Sequence, residues 1–361
     1  MIARDKSITA WQAGIMIFIL MFANKVLLLP SLLFEGAKFE SIFIPIGLSI
    51  LEMLLVYLFY RLKNKFPTES FSHVLRKYFG KIPMIIVCLL FALYFLSKAV
   101  LLYNITYIFF KTVIYKDSDN FLFLVCFLPI IIHMACSGLR NMGRTIQLFF
   151  PMIILLIVFC IVVGIFGINS KPLLFQSSAS DVFVSALRHV AAFGDVLFLF
   201  VFMHKIKIKK GQWKILFSFS GLSLFLVCVI NIVFMLSYTY TAFMHPFALF
   251  EIMNYVKEFG AMGRIDILSM VAIVIMSYFH LAIYLKGFMQ SFNNIFYKIN
   301  KLYSIISFVL LFLVLVNYIV LNLEAAVYFG ETVLPYASIV PFIIVPIVSL
   351  ICEFVNWRKK A

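Results

Sequence analysis

Four charged side chains stand near the middle of apolar runs that are each long enough to cross a lipid bilayer. They are Lys25, Glu52, Lys98 and Asp195, in the first, second, third and sixth of these runs. A charge at the centre of a bilayer costs about 2.5 to 3.5 kcal/mol, so such a residue normally faces a cavity or a partner inside the protein. The four charges sum to zero, which fits a zwitterionic ligand and equally fits internal pairing around a neutral one. We therefore expect these residues to mark a binding site, or else to form buried pairs that fix the register of the helices.

The first apolar run, residues 8–34, also contains a feature that should interrupt its helix. Pro30 has no N–H to donate to the carbonyl of Val26, and its ring crowds that carbonyl. The helix should therefore loosen from Asn24 to Val26, beside the charge of Lys25. Within a membrane, backbone that is not helical is tolerated only where protein or a water-filled cavity covers it. This run is accordingly predicted to be a broken helix that lines a binding site.

The sixth apolar run, residues 182–204, carries a second interruption. Gly194 permits local unwinding, and the neighbouring Asp195 is about as costly to bury as a lysine unless it is paired. Arg188 and His189, in the outer half of this run, are interpreted as residues of an outer vestibule or of helix packing.

The two interruptions together predict the ligand site. The residues predicted to bind ligand are Ala23, Asn24, Lys25, Val26, Phe193, Gly194 and Asp195. Glu52 and Lys98 are predicted to be supporting charges. In this hypothesis Lys25 and Asp195 form the charge-compensated centre of the pocket, either directly or together with the ligand.

The composition predicts an all-α membrane protein. Of the 361 residues, 64% are hydrophobic and only 12% are charged. Ten apolar runs are long enough to be transmembrane helices, at residues 8–34, 41–60, 83–113, 120–137, 146–168, 182–204, 215–239, 265–285, 302–322 and 334–354. The connections between them are short, so residues 1–361 are interpreted as a single polytopic membrane domain.

The positions of the two interrupted runs predict an internal repeat. They are the first runs of two five-span halves, about residues 8–168 and 182–354. Because five is odd, the two halves must run in opposite directions through the membrane. Interrupted helices at corresponding positions of inverted halves predict a ligand site where the two breaks meet.

The basic residues predict the orientation. With the N-terminus inside, 21 of the 30 Lys and Arg residues lie on the inner side and six on the outer side. Basic residues are enriched in cytoplasmic loops, so both termini are predicted to be cytoplasmic. The net charge of +15 then reflects topology and attraction to anionic membrane lipid, and nucleic acid is not an expected partner.

The sequence offers no residues on which enzymatic chemistry could rest. It has no phosphate-binding glycine loop, no G-x-S-x-G elbow and no H-E-x-x-H motif. The six cysteines lie in apolar runs without C-x-x-C spacing, and the histidines lack ligand spacing. We therefore expect a protein that is not an enzyme and that needs neither a cofactor nor a metal.

Several segments resemble one family along nearly the whole chain. They are the start ITAWQAGIMIFILMFANKVLLLP, the segment KFPTESF after the second run, the loop SGLRNMGRTIQLFFP with Gly138, Arg144 and Pro151, the Gly194–Asp195 pair, and GRIDILSMVAIVIMSYFHLAIYLKG at the eighth run. In this order and spacing they resemble the B subunit of spore germinant receptors. This is the spore germination permease family within the amino acid, polyamine and organocation transporter superfamily.

The resemblance implies a LeuT-like fold of ten helices in a five-plus-five inverted repeat, with helices 1 and 6 broken. It also implies a small-molecule germinant pocket at the two breaks, assembly with the germinant receptor A and C subunits, and a location in the spore inner membrane. The predicted function is a membrane subunit that binds an amino acid-like germinant and triggers germination. The alternative is a secondary active transporter of an amino acid or amine coupled to protons or cations, since both functions need the same pocket.

Overall fold

The fold is given by a computed structural model. It describes residues 7–116, 119–166, 168, 177–209, 211–257, 266–296, 301–319 and 323–358. Helices account for nearly all of these residues. In chain order they are α1 (Ala10–Phe22), α2 (Leu29–Ala37), α3 (Phe43–Lys65), α4 (Phe71–Phe79), α5 (Lys81–Phe109), α6 (Asn120–Cys136), α7 (Leu139–Phe166), α8 (Ala179–His189), α9 (Leu197–Val201), α10 (Trp213–Tyr238), α11 (Ala248–Lys257), α12 (Asp266–Ile295), α13 (Lys301–Ile319), α14 (Leu323–Tyr328), α15 (Leu334–Ala337) and α16 (Val345–Arg358). Two short strands, β1 (Ile8–Thr9) and β2 (Ile206–Lys207), pair in parallel.

Seven helical segments in the described part of the chain are long and apolar enough to cross a membrane. They are Leu29–Lys65, Lys81–Ile114, Leu139–Phe166, Ala179–Val201, Trp213–Met244, Asp266–Ile295 and Leu323–Phe354. Three shorter apolar helices, Ala10–Lys25, Asn120–Cys136 and Leu302–Asn317, fall on the other predicted spans. The all-α membrane class is therefore confirmed, whereas the ten-span inverted repeat stays a prediction.

The first predicted span is broken where the proline rule places the break. A 3-10 turn at Ala23–Lys25 separates α1 from α2, and Pro30 lies in the first turn of α2. Pro30 has no N–H to donate to the carbonyl of Val26. This carbonyl instead accepts a hydrogen bond from the N–H of Leu249 at 3.3 Å.

The same loop satisfies a second carbonyl at this break. Ala248, the first residue of α11, donates its N–H to the carbonyl of Leu27 at 3.0 Å. The break is thus stabilised by backbone hydrogen bonds from a distant part of the chain, as buried polar backbone requires.

The sixth predicted span is broken at the predicted glycine. After α8 the chain forms a 3-10 turn at Val190–Ala192 and then becomes extended at Phe193. Gly194 has a φ of +95°, a left-handed conformation that other residues adopt only with strain. A Cβ at this position would also lie 2.6 Å from Cγ of Pro341, so the site is closed to larger residues. Helix α9 starts at Leu197, three residues after this glycine.

The core is built around α1, α5 and α12. Almost every residue of α1 is buried, and α1 packs along α10. Helices α5 and α12 form the most extensive contact in the molecule. They approach closely where Gly287 faces the ring of Phe95, since a Cβ on that glycine would lie 2.9 Å from the ring. This packing brings residues of α5 and α12 to the break that follows α8.

One end of the molecule is held together near the two strands. Ile8 pairs with Ile206 and Thr9 with Lys207, so the start of α1 is joined to the segment after α9. Helix α4 lies at the same end and contacts both α5 and α9. Ser70 caps α4 by accepting a hydrogen bond from the N–H of His73.

Candidate functional site

Lys25 and Glu52 form an ion pair in the interior. Both side chains have no exposed surface, and Lys25 Nζ contacts Glu52 Oε2. The 3-10 turn positions the lysine, and the middle of α3 positions the glutamate. Lys25 Nζ also lies 4.2 Å from the centre of the Phe193 ring, which adds a cation–π contact across to the second break.

Glu52 connects the two breaks. While its Oε2 binds Lys25 at the first break, its Oε1 accepts the N–H of Gly194 at 2.7 Å. The left-handed conformation of the glycine leaves this N–H without a helical partner, so the carboxylate takes the place of the missing helical hydrogen bond. A movement of either break therefore changes the contacts of this side chain.

Asp195 is surrounded by donors on one oxygen only. Its Oδ1 lies 2.9 Å from Lys98 Nζ and accepts hydroxyl hydrogen bonds from Tyr284 at 2.8 Å and Tyr94 at 3.2 Å. Its Oδ2 has no hydrogen-bond partner among the described residues. Nε2 of His280 lies 4.0 Å from this oxygen.

The four predicted charges are brought together, but their pairing differs from the hypothesis. Lys25 pairs with Glu52 and Lys98 pairs with Asp195, so Lys25 and Asp195 are not joined directly. Two neutral pairs replace the predicted single pair because α3 and α5 each bring a partner charge to the break nearest to them. A direct Lys25–Asp195 pair is the part of the prediction that the structure corrects.

Several polar atoms around Asp195 are buried without a hydrogen bond. They include Asp195 Oδ2, both ring nitrogens of His280, and Lys98 Nζ, whose contact with Asp195 is close but lacks hydrogen-bond geometry. An unpaired buried polar group costs about 1 to 3 kcal/mol, and a native protein normally carries only a few. In the described residues, no three His, Cys, Asp or Glu side chains are grouped so that they could hold a metal ion.

A small cavity of about 40 Å³, partly open to the outside, adjoins both breaks. It is lined by Asn24, Leu28, Leu29, Leu32, Leu101, Ile105, His189, Ala191, Ala192, Ala326, Val327, Gly330 and Glu331. Of the residues predicted to bind ligand, only Asn24 is in this lining. Ala23, Lys25, Val26, Phe193, Gly194 and Asp195 are buried beside it.

Sequence reasoning missed the tyrosines of this site. Tyr94 lies one turn before Lys98 on α5, and Tyr284 lies one turn after His280 on α12. Residues four apart share a helix face. This spacing next to a buried lysine and a buried histidine was the available signal, but it is common in apolar helices and does not by itself indicate a site.

Comparison with known families identifies the chain. The family model described as spore germination protein, or spore permease, matches residues 7–324. The chain belongs to this family. The match covers both breaks, all four buried charges and the helices from α1 onward, and it ends in α14. A search of curated proteins gave no match.

Family membership agrees with the resemblance predicted from the sequence. A spore germination protein with seven helices of spanning length among its described residues is an integral, multi-pass membrane protein with a role in germination. Glu331 and the later helical segments lie beyond the matched residues, so this part of the cavity wall is described by the structure alone.

Proposed function

We propose that this spore germination protein is the membrane subunit of a nutrient-germinant receptor. It binds a small, amino acid-like germinant where the two helix breaks meet and passes the signal to the receptor A and C subunits in the spore inner membrane. The observation that carries the proposal is the double contact of Glu52, which holds Lys25 at one break and the N–H of Gly194 at the other.

The double contact suggests how binding is converted into movement. A ligand shifts a conformational equilibrium only if it binds one state more tightly than the other. A germinant that contacts Asn24 at the first break, or the turn before Phe193 at the second, changes the geometry that Glu52 can satisfy. The unpartnered atoms around Asp195 lower the cost of rearranging this break, because fewer hydrogen bonds must be given up.

Deletion of the gene tests the proposal. Spores without the gene should lose their response to one nutrient or nutrient mixture in a panel of amino acids, sugars and nucleosides. Germination triggered by an agent that bypasses the nutrient receptors should stay normal. Complementation with the wild-type gene should restore the response. A normal response of the deletion spores to every nutrient that triggers the parent strain would refute the receptor role.

The partner proposal has a separate test. The helices leave only short loops in the described part of the chain, so a signal must leave through other proteins. Affinity purification from spore membranes should recover the A and C subunits together with this chain. Uptake of labelled nutrient by proteoliposomes containing this chain alone would instead support the transporter alternative.

A further inference from the structure

His189 and Glu331 face each other at one end of the cavity. Nε2 of His189 lies 3.2 Å from Oε1 of Glu331, and both residues line the cavity. His189 is the last residue of α8, directly before the second break, and Glu331 belongs to the π-helical segment Phe329–Val333. The side chain of His189 is 7% exposed, whereas that of Glu331 is 27% exposed.

The ring of His189 has a defined tautomer. Its Nδ1 lies 2.9 Å from the carbonyl oxygen of Ser185, and a carbonyl oxygen can only accept. The hydrogen of a neutral ring must therefore be on Nδ1, which leaves Nε2 as an acceptor. Glu331 also offers only acceptors when ionised, so two acceptors face each other across the end of the cavity.

We infer that this pair is the head-group site of the cavity and that it binds the protonated amine of a small aliphatic ligand. An ammonium group has three donors and can satisfy Nε2 of His189 and Oε1 of Glu331 together. The inference rests on the proposed function, because it identifies the chemical class that the germinant pocket recognises.

The cavity walls select the rest of the ligand. Between Asn24 at the first break and Glu331, the lining consists of aliphatic side chains, including those of Leu101 and Ile105. Glu331 is the one carboxylate in the lining, and no Lys or Arg is part of it among the described residues. Arg188 also acts electrostatically on Glu331, but it is exposed and is not in the lining. The cavity lining therefore fits a ligand with an aliphatic chain and a cationic head group.

Three probes with the same body and different head groups test the inference. The full chain in nanodiscs should bind isobutylamine, and it should bind isobutyric acid and isobutanol at least about tenfold more weakly, as measured by calorimetry. Glu331→Gln should weaken isobutylamine binding by about 10- to 100-fold, the effect of losing one charge-assisted contact. Glu331→Asp keeps the charge and should retain most of the affinity.

Glu324→Gln is the matched control. Glu324 is an exposed carboxylate on α14, the helix that precedes the π-helical segment of Glu331. It does not line the cavity, so its neutralisation should leave isobutylamine binding unchanged. Gly330→Ala tests the walls, because its new Cβ would lie 3.7 Å from Leu101, an ordinary contact between two lining residues. It should weaken isobutylamine binding more than methylamine binding.

The inference is overturned if Glu331→Gln binds isobutylamine as the wild type does, or if the acid binds as well as the amine. Thermal unfolding of each variant shows whether a loss of binding reflects a loss of fold. If Glu331→Gln does not fold, the isobutylamine affinity of Glu331→Asp, which keeps the charge, provides the test instead. These binding measurements do not depend on germination. Normal nutrient response of the deletion spores would refute the proposed function alone, and equal binding of the three probes would refute this inference alone.

Discussion

Each buried ion pair depends on both of its members. Lys25 and Glu52 have no exposed surface, and the same holds for Asp195, while Lys98 is 1% exposed. Removal of one member leaves an uncompensated charge in the interior, which costs about 3 to 5 kcal/mol when water cannot reach it. Removal of both members leaves no charge and is much less damaging. The partners can therefore be assigned by experiment.

Lys25→Met and Glu52→Gln should each destabilise the protein by about 3 to 5 kcal/mol, and the double variant should recover most of this loss. Lys98→Met with Asp195→Asn should behave in the same way. Unfolding in detergent, followed by intrinsic fluorescence, measures these changes.

The crossed combination is the control for this pairing. Lys25→Met with Asp195→Asn should not recover stability, because each change removes a member of a different pair. Recovery in the crossed variant, with none in the matched ones, would show that the direct Lys25–Asp195 pair is correct. We expect neither double variant that removes Lys25 to restore the nutrient response, since the link that Glu52 makes between the breaks is lost in both.

Gly194→Ala should be more damaging than an ordinary glycine replacement. The new Cβ would occupy a left-handed conformation and would lie 2.6 Å from the rigid ring of Pro341, so a loss of at least about 1 to 2 kcal/mol is expected. Gly221→Ala is the control, because this glycine lies within α10 with open space around it. Alanine there should be neutral or slightly stabilising, as in other helices. Equal melting temperatures of the two variants would contradict the strained geometry at the second break.

At the scale of elements, the first break depends on α11. The N–H groups of Ala248 and Leu249 bind the carbonyls of Leu27 and Val26, which lack helical partners. Pro30 explains why the carbonyl of Val26 is free, and the sequence therefore predicted this break correctly. The sequence did not indicate which segment would satisfy it. The two hydrogen bonds join residues more than 200 positions apart, and nothing in the local pattern around Ala248 marks it as a donor.

Ala248→Pro tests this support. Proline is tolerated in the first turn of a helix, so α11 should persist, but the donor to Leu27 is removed. The substitution leaves the buried carbonyl of Leu27 without its hydrogen-bond donor, which should cost about 1 to 3 kcal/mol. Hydrogen exchange at the Leu249 amide should also become faster, and mass spectrometry of the peptide measures it.

Ala179→Pro is the control for this substitution. Ala179 is the exposed first residue of α8 and follows a serine in an extended conformation, which suits a residue before proline. This variant should keep the wild-type stability. If both proline variants are equally stable, the hydrogen bond to Leu27 contributes nothing measurable to the first break.

At the scale of the whole molecule, orientation remains a prediction from the basic residues. With both ends inside, position 208 lies on the cytoplasmic side and position 116 on the outer side. In a background without native cysteines, Lys116→Cys should react with a membrane-impermeant thiol reagent added outside, and Ile208→Cys should react only after permeabilisation. Reaction of both positions in intact cells would put them on the same side of the membrane and contradict the inverted repeat.

The sequence predicted the membrane class and both helix breaks because these depend on local chemistry. Apolar length, a proline without an N–H and a glycine beside an aspartate each act within a few residues. The direct pair of Lys25 with Asp195 was predicted incorrectly because the pairing depends on how α3 and α5 pack against the breaks. The contact of Glu331 with His189 was missed for the same reason. It becomes visible only when the last helical segments lie against His189.

The double contact of Glu52 also has a consequence for regulation. Thermodynamic linkage is reciprocal. The coupling free energy between Gly194 and Lys25 is therefore the same whether the change is made at the glycine or at the lysine. In the proposed receptor, a subunit or lipid that contacts only the first broken helix would therefore alter the affinity for a ligand held beside the second one. The sensitivity of the spore to a nutrient would then be set from a surface that the nutrient never touches.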